Sequence, residues 1–186
     1  MESVGNLAMA GAVWETDLLE DTSVQRLILE QYDREQLSLR RYVAFLGIDP
    51  ETAFEIVQEC FLKLQEHLLA RGDRTNLRAW LYRVAHNLAR NSQSAFRSSR
   101  TDFLADVTLA GDPPARSNSA EQDLLARERL DLMNSAIQAL SPAQRDCLVL
   151  RSQGLKYREI ADVLNLSTST VGENIQRGLE KLKELL

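Results

Sequence analysis

Cysteine is nearly missing from this chain: Cys60 and Cys147 are the two in 186 residues, and they form no CxxC pair or Cys/His cluster. That excludes a disulfide framework and fits a reducing compartment. Histidine is equally scarce, with His67 and His86 the two present. Cys60 and His67 share a helix face two turns apart, a separation at which two ligands rarely close one site, so no metal is expected. No nucleophile motif and no glycine-rich phosphate loop appear. The chain is therefore expected to be no enzyme, with no catalytic residue and no cofactor. It also lacks any apolar run of the roughly 18 residues needed to span a bilayer, and its N-terminus has no basic stretch before an apolar one. No membrane insertion and a cytoplasmic location are expected. Finally, a basic surplus is missing. The net charge is −5 and the pI about 5.2, whereas a freestanding nucleic-acid binder usually carries a basic footprint. Any nucleic-acid role must be local or shared with a partner.

What is present is helical patterning. Hydrophobic residues make up 44% of the chain, enough to build cores. Residues 1–21 carry five acids and no Lys or Arg, and read as a frayed acidic tail or an arm that competes for a basic surface. A helix is expected from Ser23, with Leu27, Ile28, Tyr32, Leu37, Tyr42, Val43, Phe45 and Leu46 near 3.6 spacing, ending at Gly47. Asp49-Pro50 opens a second helix, to about Ala70, with Asp49 as N-cap and Pro50 at N1. Its expected apolar stripe is Phe54, Val57, Phe61, Leu64 and Leu68, and its other side is acidic, a charge of −4 between Asp49 and Ala70.

After a turn at 71–75, a third helix is expected at about 77–96. Leu77, Trp80, Leu81, Val84, Ala85 and Leu88 form its buried face. Between Asn76 and Arg100 stand five arginines and no acid, a local charge of +5. Such a helix can be a solvated face, or it can track a single strand, which is held by positive grooves and stacked bases. In the second case Arg74, Asn76, Arg83, Asn87 and Arg90 would contact the strand. Trp80 is expected in the core, Tyr82 fits either role, and His86 is expected to face solvent or DNA.

Residues 98–120, with Pro113-Pro114 and much Ser, Asn and Asp, lose periodicity and read as a flexible linker. The expected organisation is all-α: an acidic segment at 1–21, a helical domain at 22–97, the linker at 98–120, and a second helical domain at 121–186. In the latter, Ser141-Pro142-Ala143-Gln144 has the form of a capping box with Pro at N1. A helix from about Tyr157 to Leu164, a turn at Asn165-Leu166 and a long helix from Ser167 have the layout of a helix-turn-helix. An ordinary helical hairpin shares that spacing. Asn165 suits a left-handed position, Ala161 permits close approach, and Ser167 is a natural N-cap. Asn174 and Gln176 can bond base edges, Glu173 can accept from cytosine N4, and Arg177, Lys181 and Lys183 remain for phosphates. From Pro142 to Leu186 the net charge is only +1, so this domain should bind DNA weakly unaided.

In this order, "FEIVQECFLKLQEHL", "NLRAWLYRVAHNLARN" and "LSPAQRDCLVLRSQGLKYREIADVLNLSTSTVGENIQRGLEKLKELL" resemble a bacterial RNA polymerase sigma factor of the sigma-70 family, extracytoplasmic-function type. The resemblance covers about 25–97 and 121–186. It implies a transcription initiation factor whose partners are core RNA polymerase, promoter DNA and, in many members, an anti-sigma factor. It further implies that Glu55, Gln58 and Glu59 face core polymerase. The loop from Arg71 to Asn76 would capture a flipped −10 base, and Arg83, Asn87 and Arg90 would line the melted strand. Ser167, Ser169, Thr170, Glu173, Asn174, Gln176 and Arg177 would approach the −35 groove. Gly172 and Glu173 depart from the family's usual basic and small polar pair, which implies an altered −35 preference. Two alternatives remain: a LuxR-type helix-turn-helix regulator acting without polymerase, and a sigma-like decoy that occupies polymerase.

Overall fold

The computed structural model describes residues 5–99 and 120–185, with side chains at 22–94, 128, 129 and 131–185. The chain divides into two compact units, Met1–Phe103 and Leu104–Leu186. All regular structure among the described residues is helical: α1 (Gly5–Phe45), α2 (Pro50–Leu69), α3 (Leu77–Ser99), α4 (Ala120–Gln138), α5 (Pro142–Ser152), α6 (Tyr157–Leu164) and α7 (Thr168–Leu185). The linker expected at 98–120 lies, apart from its edges, outside the described residues.

In the first unit, α1 packs on α2 and α3, and α2 on α3. Helix α1 begins at Gly5 rather than Ser23. Residues 1–4 lie outside the described residues, and for residues 5–21 this start corrects the reading as a frayed tail. That segment carries Leu, Ala, Met and Glu, all strong helix formers, and no proline to stop a helix growing back from Ser23. The helix ends as expected at Gly47, with φ 88°. Asp49 then caps α2, accepting from Glu51 N at 3.2 Å and Thr52 N at 3.0 Å. These backbone bonds hold its carboxyl below the usual carboxylate range.

The core of this unit is Leu39, Tyr42 and Val43 from α1, Ile56, Val57, Cys60, Phe61, Leu64 and Leu68 from α2, and Leu81, Tyr82, Ala85 and Ala89 from α3. Two expected core positions are corrected. Leu37 and Phe54 are exposed, at 55% and 42%. Each lies two residues, about 200° around the helix, from Leu39 or Ile56, and Phe54 instead lies under the Arg40 guanidinium, 5.4 Å from the ring centroid. Trp80, like Val84 and Leu88 on the same face, is half-buried.

In the second unit, α7 packs on α5, α6 and α4, and α5 on α6. Ser141 makes the expected reciprocal capping box with Gln144. Gly154 ends α5 in the left-handed region, with φ 88°. There Leu155 N returns to Leu150 O at 3.3 Å, and both leucines are buried. Cys147, Leu150, Leu155, Ile160, Ala161, Val163, Val171 and Ile175 form the core. Gly178 lets α7 approach α5 closely, because a Cβ there would lie 2.8 Å from Leu148 Cδ1.

Candidate nucleic-acid interface

The turn between α6 and α7 has helix-turn-helix geometry. Asn165 is left-handed, with φ 54°, as its short polar side chain permits. Leu166 N reaches back to Ala161 O at 3.0 Å. Ser167 Oγ accepts from Thr170 N at 3.1 Å and shares bonds with Ser169 Oγ and the Thr170 hydroxyl. Ser167 is therefore occupied as the N-cap of α7.

Along α7, Ser169, Glu173, Gln176 and Arg177 are exposed on one stripe, while Thr170 and Asn174 are half-buried. Asn174 Nδ2 donates to Thr170 O at 2.9 Å, and Gln176 Nε2 to Glu180 Oε1 at 3.0 Å. Arg177 sits 3.4 Å from the Glu173 carboxylate, both side chains well exposed. Such a pair is worth less than about 1 kcal/mol, so DNA can separate it. Gly172 is not demanded by space: a Cβ there would lie 3.7 Å from the Tyr157 ring, an ordinary contact. Composition had not singled out Tyr157 or Arg151. The Arg151 guanidinium lies 5.6 Å from the Tyr157 ring centroid, which brings an aromatic and a cation beside the position where the basic side chain is missing.

In the first unit, Arg71, Arg74 and Asn76 are exposed on the loop before α3. Arg83, Asn87 and Arg90 are exposed along α3 at i, i+4 and i+7, one face of the helix. The loop is tightly organised. Arg71 and Asn76 both have positive φ, 56° and 55°. Asp73 accepts from Thr75 N at 2.8 Å and from Thr75 Oγ1 at 2.7 Å. The hydroxyl bond leads in holding its carboxyl below the usual range.

Not every arginine of the +5 run faces outward. Arg78 Nε donates to Glu35 Oε2 at 3.1 Å, where Glu35 is buried, so this cation ties α3 to α1. Arg97 and Arg100 have side chains outside the described residues. The aromatics also sort inward. Tyr82 is fully buried, its phenol pushed up to about 12 mainly by burial, so it is a core residue and no stacking platform. His86 is corrected from an outward to an inward position. It is buried, shares a 2.8 Å hydrogen bond with Tyr42 OH, and is held down to about 4 by burial with a contribution from Arg90. Its heptad place beside Ala85 and Ala89 turns it toward α1. Cys60 is fully buried, its thiol pushed up to about 12 by desolvation. His67, seven residues on, turns instead toward Trp80 and Asp73.

On α2, Glu55, Gln58 and Glu59 are exposed at i, i+3 and i+4, one continuous acidic patch. Lys63 lies 3.3 Å from Glu59 at its edge. No helix among the described residues is long and apolar enough to cross a membrane.

Comparison with known proteins fits this arrangement. Residues 31–100 match the Sigma-70 region 2 family and residues 130–182 match Sigma-70, region 4. The sigma-H factor of Pseudomonas aeruginosa is 31% identical over 145 residues, covering 74% of this chain and 75% of that protein. RNA polymerase sigma factor SigZ of Bacillus subtilis is 29% identical over 161 residues, covering 86% of each. In fold, the chain is similar to the sigma factor RpoE of Bartonella quintana, solved in complex with the anti-sigma factor NepR. The TM-score is 0.60 at 21% identity, over 84% of this chain and 94% of that one. The LuxR-type alternative is not favoured, since the helices ahead of the helix-turn-helix match region 2 rather than a sensor domain, and the decoy is not favoured, since the similar proteins are RNA polymerase sigma factors. The chain belongs to the sigma-70 family, in its extracytoplasmic-function branch, and is a transcription initiation factor that binds core RNA polymerase and directs it to promoters.

Proposed function

We propose that the two units divide promoter recognition as follows. The first, residues 22–97, binds core polymerase through Glu55, Gln58 and Glu59, and reads and melts the −10 element. Arg71, Arg74 and Asn76 on the loop take an unstacked base, and Arg83, Asn87 and Arg90 follow the strand behind it. The second, residues 121–186, reads the −35 element with α7. There Ser169, Glu173, Gln176 and Arg177 face the groove, and Ser167, Thr170 and Asn174 fix the first turn of the helix at the backbone. A cytoplasmic location and regulation by an anti-sigma factor belong to the same reading. The supporting observation is the coincidence of an exposed cationic stripe on α3 with a loop whose backbone is already held in left-handed positions. Purified core polymerase with this protein should give discrete new 5′ ends in run-off transcription from sheared genomic DNA. Co-elution with core but no new transcripts would defeat the promoter-opening assignment.

Glu173 makes the −35 assignment specific. A carboxylate at the groove floor accepts from cytosine N4, and Arg177 beside it is positioned for guanine or phosphate. We infer a −35 element with cytosine opposite Glu173. Glu173→Gln should relax the preference at that one base pair by roughly 1–3 kcal/mol, read as promoter competition in transcription. An unchanged preference at every −35 position would sink the contact.

A further inference from the structure

The loop assigned to the −10 strand is held from beneath by a residue with no role in that assignment. Helix α2 ends in a Schellman arrangement: Gly72 N bonds His67 O at 2.8 Å and Arg71 N bonds Leu68 O at 3.1 Å. Such ends usually place glycine at the left-handed position. Here Arg71 occupies it, with φ 56°, and glycine stands one residue later. The reason lies in the neighbouring ring. A Cβ on Gly72 would fall 2.2–2.5 Å from three atoms of the His67 imidazole, so only glycine lets that ring lie across the loop. The ring stacks on Trp80, with centroids 4.9 Å apart and an interplanar angle of 27°. Its Nε2 donates to the Asp73 carbonyl oxygen at 2.9 Å. A carbonyl can only accept, which fixes the proton on Nε2. Asp73 in turn holds Thr75 through both the backbone N–H and the hydroxyl.

We propose that His67 is a positioning residue for promoter opening. Clamped between Trp80 on α3 and the Asp73 carbonyl, it holds the 71–76 loop in the shape that receives an unstacked base of the melted strand. This rests on the −10 assignment of the loop. The left-handed conformation of Arg71 carries a steric cost, which the short polar side chain of Asn76 lessens at the other end of the loop. The His67 clamp over-determines the loop and keeps both residues in place before DNA arrives. His67 need not touch DNA: its effect is to remove the ordering cost that a slack loop would meet on binding.

The test uses the full chain bound to core polymerase, with fork-junction DNA whose −10 segment has a single-stranded non-template strand. Each base is varied in turn on a promoter found by run-off transcription. His67→Phe keeps an aromatic ring against Trp80 and loses the donor, and His67→Gln restores a donor. His67→Phe is expected to lower discrimination at the captured base about tenfold, the scale of one lost hydrogen-bonded constraint. Affinity for core should be unchanged, and His67→Gln should recover part of the loss. Should His67→Phe prove poorly folded, Gly72→Ala displaces the ring from the other side and should give the same loss. Wild-type discrimination in His67→Phe overturns the proposal, as does an equal loss of core affinity, which would mark a purely structural role. An unmutated holoenzyme that shows no base discrimination on the fork would defeat the −10 assignment of the loop itself.

Discussion

Tyr42 and His86 place a polar pair where their neighbours are apolar. Their 2.8 Å hydrogen bond satisfies the buried His86 imidazole, and a buried group that loses its partner costs about 1–3 kcal/mol. Tyr42→Phe should therefore destabilise the first unit by about that amount, measured by urea unfolding. The same pair sets a pH dependence. His86 is held down to about 4 in the fold, by burial first and the Arg90 charge second, against about 6.5 in an unfolded chain. Between those values the unfolded state binds more protons, so stability rises with pH. The contribution is fully present above about pH 6.5 and is lost as pH falls toward 4. Urea midpoints at pH 7 and pH 4.5 should differ in that direction, and His86→Phe should shrink the difference.

Among the elements, the turn between α6 and α7 depends on one left-handed residue. Asn165 tolerates that conformation and a β-branched residue does not. Asn165→Val should lower the stability of the second unit by about 1–2 kcal/mol, seen as an earlier thermal transition. Gly172 is the opposite case. Its neighbour Tyr157 leaves room for a Cβ, and glycine within a helix costs roughly 1 kcal/mol against alanine. Gly172→Ala should raise the same transition by about that much. Gly172→Arg should add a phosphate contact and steepen the salt dependence of −35 binding by about one ion.

For the molecule as a whole, an acidic total and a DNA-directed task are compatible because the charges are segregated. Residues 1–21 and 49–70 carry −5 and −4, whereas residues 76–100 carry +5. A second unit of net charge near zero offers few phosphate contacts of its own. The isolated chain should accordingly bind promoter and unrelated duplex alike, with Kd of about 10⁻⁴–10⁻⁶ M at physiological salt, while the holoenzyme discriminates; fluorescence anisotropy separates the two cases. Replacing Glu55 and Glu59 together by lysine should lower core affinity at least about tenfold. Both are exposed, and the Glu59–Lys63 pair is an exposed one, so thermal stability should move by no more than about 1 kcal/mol. Loss of core binding together with unfolding would assign these residues a structural role instead.

Helical class, the second and fifth helix starts and the helix-turn-helix follow from the sequence by itself. Asp49-Pro50, Ser141-Pro142 with Gln144, and Asn165 act through their own backbone, within four or five residues, so local chemistry suffices to read them. The exposed residues Arg83, Asn87 and Arg90 were legible for the same reason, through helical spacing. Tertiary structure decided what depends on the facing helix. Leu39 and Ile56, rather than Leu37 and Phe54, became core, because a helix face of about 100° admits several rotations until a partner selects one. Arg78, one of the five arginines of the basic run, became a strut because a buried carboxylate, Glu35, stands 43 residues earlier in sequence. His86 moved inward because Tyr42 offers a hydroxyl across the α1–α3 contact. His67 acquired its place from Trp80 and Gly72 together. That juxtaposition exists only when α3 folds back beside the end of α2, and no spacing rule along the chain announces it.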